Sequence, residues 1–300
     1  MAAITLLQTA VALAGAPGPD ADMSVKSPAI SMPTKTTATT MENSRTTTEI
    51  AATQDTPRAP TVTVADKPQS EQAGLPPMGF TIDYKLRYAA FSAELTLSLR
   101  EQLNTQEPGN ESDKEAGQND YLITATTRAR GLAKLFMRNE LHEQASFRFV
   151  DDRLMSKHYA LNSGKKSGED SGEVSFDWEQ MTADSMYEGT RKTLSLETDV
   201  YDRMTADIVV ITDLRNGRQP RKLRIAEKNQ LRDYVFIYEG EERIATPAGE
   251  FDTVRYLRQR SGSSRSTLVW YARDAGYLPV RMEQRKNGKT AVTSEAQTIK

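Results

Sequence analysis

Two runs of alternating residues constrain this chain more than anything else in it. Phe80, Ile82, Tyr84, Leu86 and Tyr88 alternate with Thr81, Asp83, Lys85 and Arg87; after Ala89-Ala90 the pattern resumes as Phe91, Ala93, Leu95, Leu97 and Leu99 against Ser92, Glu94, Thr96, Ser98 and Arg100. A period of two is that of a β-strand with one face on a core and one in water. Antiparallel sheets read this way, whereas strands of parallel sheets are apolar on both faces. The Ala-Ala link lacks the Gly or Asn that tight hairpins favour, so its turn geometry is left open. Further strands are expected near 121–128, 141–150, 153–161, 172–179, 221–227, 230–239, 250–259, 266–272 and 278–286. Past Trp178 the alternation weakens.

One helix interrupts this pattern, between Asp199 and Arg215. Val200, Met204, Ile208 and Ile211 recur at helical spacing, Thr198 or Asp199 can cap the start, Asp202 falls in the first turn, and Asn216-Gly217 ends it. A shorter helical spacing runs from Gly131 to Asn139. Together these give a mainly β (α+β) domain: a large curved antiparallel sheet or open β-barrel with one long helix packed on it.

Aromatic residues mark where that domain begins. No Phe, Trp or Tyr occurs in residues 1–79, and all 8 Phe, 2 Trp and 11 Tyr follow. Without large side chains to bury, the Thr/Pro/Ala/Ser-rich stretch 17–79 is expected to be a disordered linker, leaving 80–300 as a single β-rich domain. Within residues 1–16, the apolar run Ile4–Ala16 resembles the core of a secretory signal peptide, although no Lys or Arg precedes it. At thirteen residues it is too short to span a bilayer, and no transmembrane span is expected elsewhere.

Residue chemistry excludes more than it suggests. With no cysteine there is no disulfide, thiolate or Cys-held metal, and a net charge of −2 gives no global pull toward nucleic acid. His142 stands beside Glu140 and Glu143, but one such cluster without HExxH reads as a solvated strand face. His158 has no carboxylate near it in sequence. Neither GxSxG nor a phosphate-cradling glycine loop occurs, so no catalytic residue, metal ligand or cofactor is assigned. Aromatics at strand spacing, with the helix stripe, are candidates for lining an apolar cavity: Met204, Ile208, Tyr234, Phe236, Tyr238 and Trp270. Two basic clusters, Arg215 to Arg232 and Arg255 to Arg265, supply candidates for an anionic group, foremost Arg221 and Arg224.

The C-terminal third adds a resemblance. Thr246-Pro247-Ala248-Gly249-Glu250-Phe251, then Trp270-Tyr271-Ala272-Arg273-Asp274, then Leu278-Pro279-Val280-Arg281-Met282-Glu283 resemble successive strand motifs of the bacterial domain of unknown function 3108 family. The likeness spans roughly 82–298 and departs at Ala89-Ala90, where that family has a glycine. It implies a fold similar to the half-open barrel of lipoprotein carriers and receptors, and brings no catalytic set with it. The expected function is that of a non-enzymatic exported protein of the periplasm or cell envelope, binding a lipid, acyl chain, lipoprotein or envelope partner. The rivals are a scaffold role and a hydrolase whose carboxylates assemble only in the fold.

Overall fold

In the computed structural model the alternating runs become strands as expected. The structure describes residues 79–102, 120–135, 139–220 and 222–300. They fall in one compact unit; a second, Gly18–Glu71, lies outside the described residues, as do the expectations for residues 1–78, the loop 103–119 and Arg221. β1 (Thr81–Tyr88) buries Ile82, Tyr84 and Leu86, and β2 (Phe91–Gln102) buries Ala93, Leu95, Leu97 and Leu99. Their two-residue turn is closed by the pair Tyr88 and Phe91, with Ala89 in the left-handed region at φ +47°. That is the conformation for which glycine is the usual choice.

β3 (Asp120–Arg130), β4 (Leu141–Val150) and β5 (Arg153–Asn162) extend the sheet outward from β2. β6 (Gly172–Asp177), β7 (Thr182–Tyr187) and β8 (Thr190–Ser195) continue it to one edge. β9 (Val200–Tyr201) lies at the opposite edge, parallel to β10 (Lys222–Glu227). The sheet then returns through β11 (Gln230–Thr246), β12 (Gly249–Arg260), β13 (Arg265–Ala272), β14 (Leu278–Lys286) and β15 (Lys289–Ile299), which pairs with β1. All fifteen strands form one open, curved sheet, antiparallel except for the β9–β10 pair.

That connectivity forces the curl. The two edge strands are joined by residues 196–199 alone, so the sheet ends can stand no more than about 17 Å apart along the chain. Side chains bridge the remaining seam. In the β10–β11 turn, Asn229 accepts a hydrogen bond from Ser185 Oγ of β7 (2.8 Å), while its Nδ2 donates to the Thr190 carbonyl of β8 (2.9 Å). Beside it the Lys228 ammonium lies 4.9 Å over the Tyr187 ring.

The helix, α1 (Thr205–Arg215), differs from the expected one at its start. Val200 and Tyr201 pair with Arg224 and Ile225 as a strand, so the helix is shorter and begins later. Asp202 is therefore ahead of the first turn, where it organises the entry. Its Oδ1 accepts the N–H groups of Met204 (2.8 Å) and Thr205 (3.0 Å), and its Oδ2 accepts Thr205 Oγ1–H (2.7 Å). Nor is α1 amphipathic in its surroundings. Thr205, Ala206, Asp207, Ile208, Val210, Ile211, Thr212 and Leu214 are all buried, so protein encloses it on nearly every side. Of the shorter helical spacing, Gly131–Leu135 is a 3₁₀ turn, and residues 136–138 lie outside the described residues.

Candidate functional site

A strand that alternates apolar and polar residues should put only apolar side chains on its inner face. β4 breaks that rule. Leu141, Ala145 and Phe147 point inward, and Glu143 stands among them, 2% exposed. A carboxylate so placed needs partners. Tyr159 of β5 donates its hydroxyl hydrogen to Glu143 Oε1 at 2.6 Å. Arg203, 4% exposed and fixed between Asp202 and the helix, faces Glu143 electrostatically and ion-pairs with Glu227 at the end of β10, Nε to Oε2 3.7 Å. Glu227 in turn accepts the Tyr234 hydroxyl hydrogen (2.7 Å) and lies 3.7 Å from Arg232 Nε. On the far side of Tyr234, the Arg258 guanidinium stacks 4.5 Å above its ring and ion-pairs at 3.3 Å with Asp207 of α1. Four carboxylates and three guanidinium groups thus gather where β4, β5, β10, β11, β12 and α1 meet.

Burial sets the electrostatics. It pushes the Glu143 carboxyl up to about 6, against the pull of Arg203 and the Tyr159 hydrogen bond. Burial likewise raises Asp202 and Asp207 above the usual carboxylate range. It opposes the charge of Arg203 as well, but Tyr159, Glu143 and Glu227 hold that guanidinium firmly protonated. Lys228 is depressed by burial and by Arg203.

The cluster is not saturated. Among the described residues, Arg203 Nε and Nη2 and Glu143 Oε2 are buried and have no hydrogen-bond partner. The two nitrogens form one edge of a planar guanidinium, the fork that matches a carboxylate or a similar pair of oxygens.

The candidate lining residues separate into groups. Met204 and Ile208 are buried on and beside α1, and Phe236 and Tyr234 lie on the inner face of β11 near Arg258. Tyr238 shares that face, pairing with Tyr256 at 5.6 Å between ring centroids, but stands at its margin and is 48% exposed. Trp270 is not with them. Its cross-strand partner on β12 is Arg255, one residue from inward Tyr256, so the indole lies on the opposite face of the sheet. There it donates to Glu242 Oε2 (3.1 Å) under the Arg281 guanidinium, 5.0 Å from its centroid. Of the anionic-group candidates, Arg224 is held by Asp233 (2.9 Å) and Glu197.

The histidines lie outside the cluster. His142 is exposed beside Glu140 at 3.6 Å. For His158 the fold supplies the carboxylate that sequence neighbours lack: its Nε2 is 2.7 Å from Glu173 Oε1 of β6. The described residues contain no group of three or more His, Cys, Asp or Glu arranged to hold a metal. Sequence reasoning passed over Glu143 and Arg203, of which Glu143 carried a signal. It occupies an inward position of β4 between Leu141 and Ala145, whereas Arg203 stands among Asp199, Asp202 and Asp207 and nothing in the sequence sets it apart.

With this geometry in place the family can be assigned. The model of a family described as protein of unknown function (DUF3108) matches residues 83–294. The chain belongs to that family. In this DUF3108 chain the quoted motifs are structural. Thr246 to Gly249 is the β11–β12 turn, with Thr246 Oγ1 accepting the Ala248 N–H (3.2 Å). Pro279 offers its carbonyl to the buried Tyr84 hydroxyl (2.6 Å), and Glu283 pairs with Arg281 and Arg285. No curated protein matches the chain. Among solved structures, it is similar to a presumed exported protein with a YmcC-like fold from Bacteroides fragilis, 15% identical with a TM-score of 0.35, over 75% of this chain and 97% of that one. A β-barrel-like protein of domain of unknown function DUF1849 from Brucella abortus is 8% identical with a TM-score of 0.40, over 76% and 98%. A presumed lipoprotein from Parabacteroides distasonis is 13% identical with a TM-score of 0.32, over 77% and 100%.

Proposed function

We propose that this DUF3108 protein is a non-enzymatic binding protein of the cell envelope whose curled sheet holds an amphiphile: an acyl chain, a lipid or the lipidated end of a lipoprotein. One observation carries this reading. The interior of the curled sheet combines one apolar cluster, including Tyr121, Phe147 and Phe236 of the sheet and Ile208 of α1, with a buried charged cluster whose hydrogen-bonding capacity is unfilled. An apolar wall with a few polar groups at one end is what an amphiphile requires of its host. The seam closed by Asn229 supports it as well, because a sheet held shut there by side chains can part without breaking a strand ladder. Export is part of the proposal and is supported by the apolar run Ile4–Ala16.

The test is titration of the full chain with the neutral fluorophore N-phenyl-1-naphthylamine, followed by displacement with tetradecan-1-ol. Saturable uptake and displacement at one site are expected; fluorescence no greater than that of a control protein would refute the binding role. N-terminal sequencing of the chain recovered from fractionated cells tests the address. An intact Met1 in the cytosolic fraction would contradict export.

A further inference from the structure

We infer that the buried edge formed by Arg203 Nε and Nη2, with Glu143 Oε2 beside it, is a site for the carboxyl head of a long-chain carboxylic acid, bound together with one proton shared with Glu143. The inference rests on the amphiphile reading above and adds the chemistry of the head group.

Arg203 Nε–H and Nη2–H are parallel donors on one edge, and no described acceptor takes a hydrogen bond from them, Glu227 standing 3.7 Å off. Glu143 Oε1 is engaged by Tyr159, while Oε2 is buried and lacks a donor. A ligand that completes both must offer oxygen acceptors to the fork and one hydrogen to Oε2. A carboxyl group does this: its oxygens face the guanidinium, and a single proton lies between it and Glu143. An alcohol can donate to Oε2 and accept from the fork, but it has no second oxygen to take both N–H groups in parallel, and a sulfonate brings no proton of its own.

Charge balance points the same way. Glu143 is faced by Tyr159 from β5 and by Asp202 and Arg203 from the segment entering α1. Beyond Arg203 stand Glu227 on β10, Lys228 in the turn, and Arg232 and Tyr234 on β11, with Asp207 on α1 and its ion-pair partner Arg258 on β12 farther off. A second full negative charge next to an ionised Glu143 would repel it, so two carboxyls in this space retain one proton between them. When ligand and Glu143 both start ionised, binding takes up one proton from solvent, and no bond other than that O–H forms or breaks.

The experiment compares displacement of N-phenyl-1-naphthylamine by tetradecanoic acid and by tetradecan-1-ol from the full chain. At about pH 6 the acid should bind at least tenfold more tightly than the alcohol. Its apparent Kd should rise about tenfold between roughly pH 6.5 and 7.5, while the alcohol's stays flat. Glu143→Gln keeps an acceptor for Tyr159 and a donor for the ligand, and should abolish that slope with acid binding retained. Arg203→Lys replaces the fork by a point charge and should remove most of the acid's preference. Equal affinity for acid and alcohol in the unsubstituted chain, or the same slope in Glu143→Gln, overturns the head-group assignment and leaves the amphiphile reading standing. If neither compound displaces the fluorophore, both fall together.

Discussion

Glu143 ties its own ionisation to folding. Its folded value of about 6 is above that of an exposed glutamate, so the neutral form is the one the fold favours. The sign follows: its favourable contribution is complete below about pH 4.3 and disappears as pH rises through about 6. At one pKa unit per 1.4 kcal/mol, the loss is about 2 kcal/mol. Glu143→Gln should therefore be about 2 kcal/mol more stable than the natural chain near pH 8 and indistinguishable from it near pH 4.5, by urea unfolding at both pH values. A uniform change at both would show that Glu143 does not titrate in this window. Ala89 offers a second measurement at this scale. Held at φ +47°, it should be relieved by Ala89→Gly, raising stability by about 0.5–1 kcal/mol; a loss would mean the turn is not strained there.

The helix entry tests the element scale. Asp202 receives two backbone N–H groups and a hydroxyl in a fully buried setting. Asp202→Ala leaves those donors unmet and should cost about 2–3 kcal/mol, whereas Asp202→Asn, which still accepts, should cost less than half of that. Equal costs would show that the charge matters and the hydrogen bonds do not. Elements were legible in the sequence where one face is buried and the other is wet. β1 to β5 and β12 meet that condition, and their alternation is loud, whereas β13 and β14 bury consecutive residues and were legible as apolar runs. β7 and β8 carry few large apolar residues because they approach a sheet edge, and β15 turns small side chains inward, Val292, Ser294 and Ala296, so its alternation has little amplitude. Gly240 marks no strand end: it follows a bulge at Glu239 inside the long β11, which sequence punctuation alone cannot distinguish from a turn. The candidate site was half legible for a related reason. Met204, Ile208, Tyr234 and Phe236 follow the periodicity inward. Trp270 follows it outward, and only its pairing with Arg255 reveals the face. Glu143 was legible as an inward position of β4, but its partners and Arg203 were hidden, because a buried charge is recognised by groups from distant strands.

Across the whole molecule the decisive feature is the seam. Removing the Asn229 side chain should cost about 1–2 kcal/mol and, more tellingly, raise amide hydrogen exchange in β7 and β8 while leaving β1 to β4 protected. Exchange that rises evenly through the sheet would mean the seam opens only with global unfolding. The proposed role depends on the interior of the curled sheet accepting a guest. Native mass spectrometry of the full chain, equilibrated with equimolar tetradecanoic acid and sprayed from ammonium acetate near pH 6, reads this directly. It should give a chain carrying one acid molecule that survives gentle activation in preference to the free chain; the unadorned mass alone, with no retained acid, would contradict it.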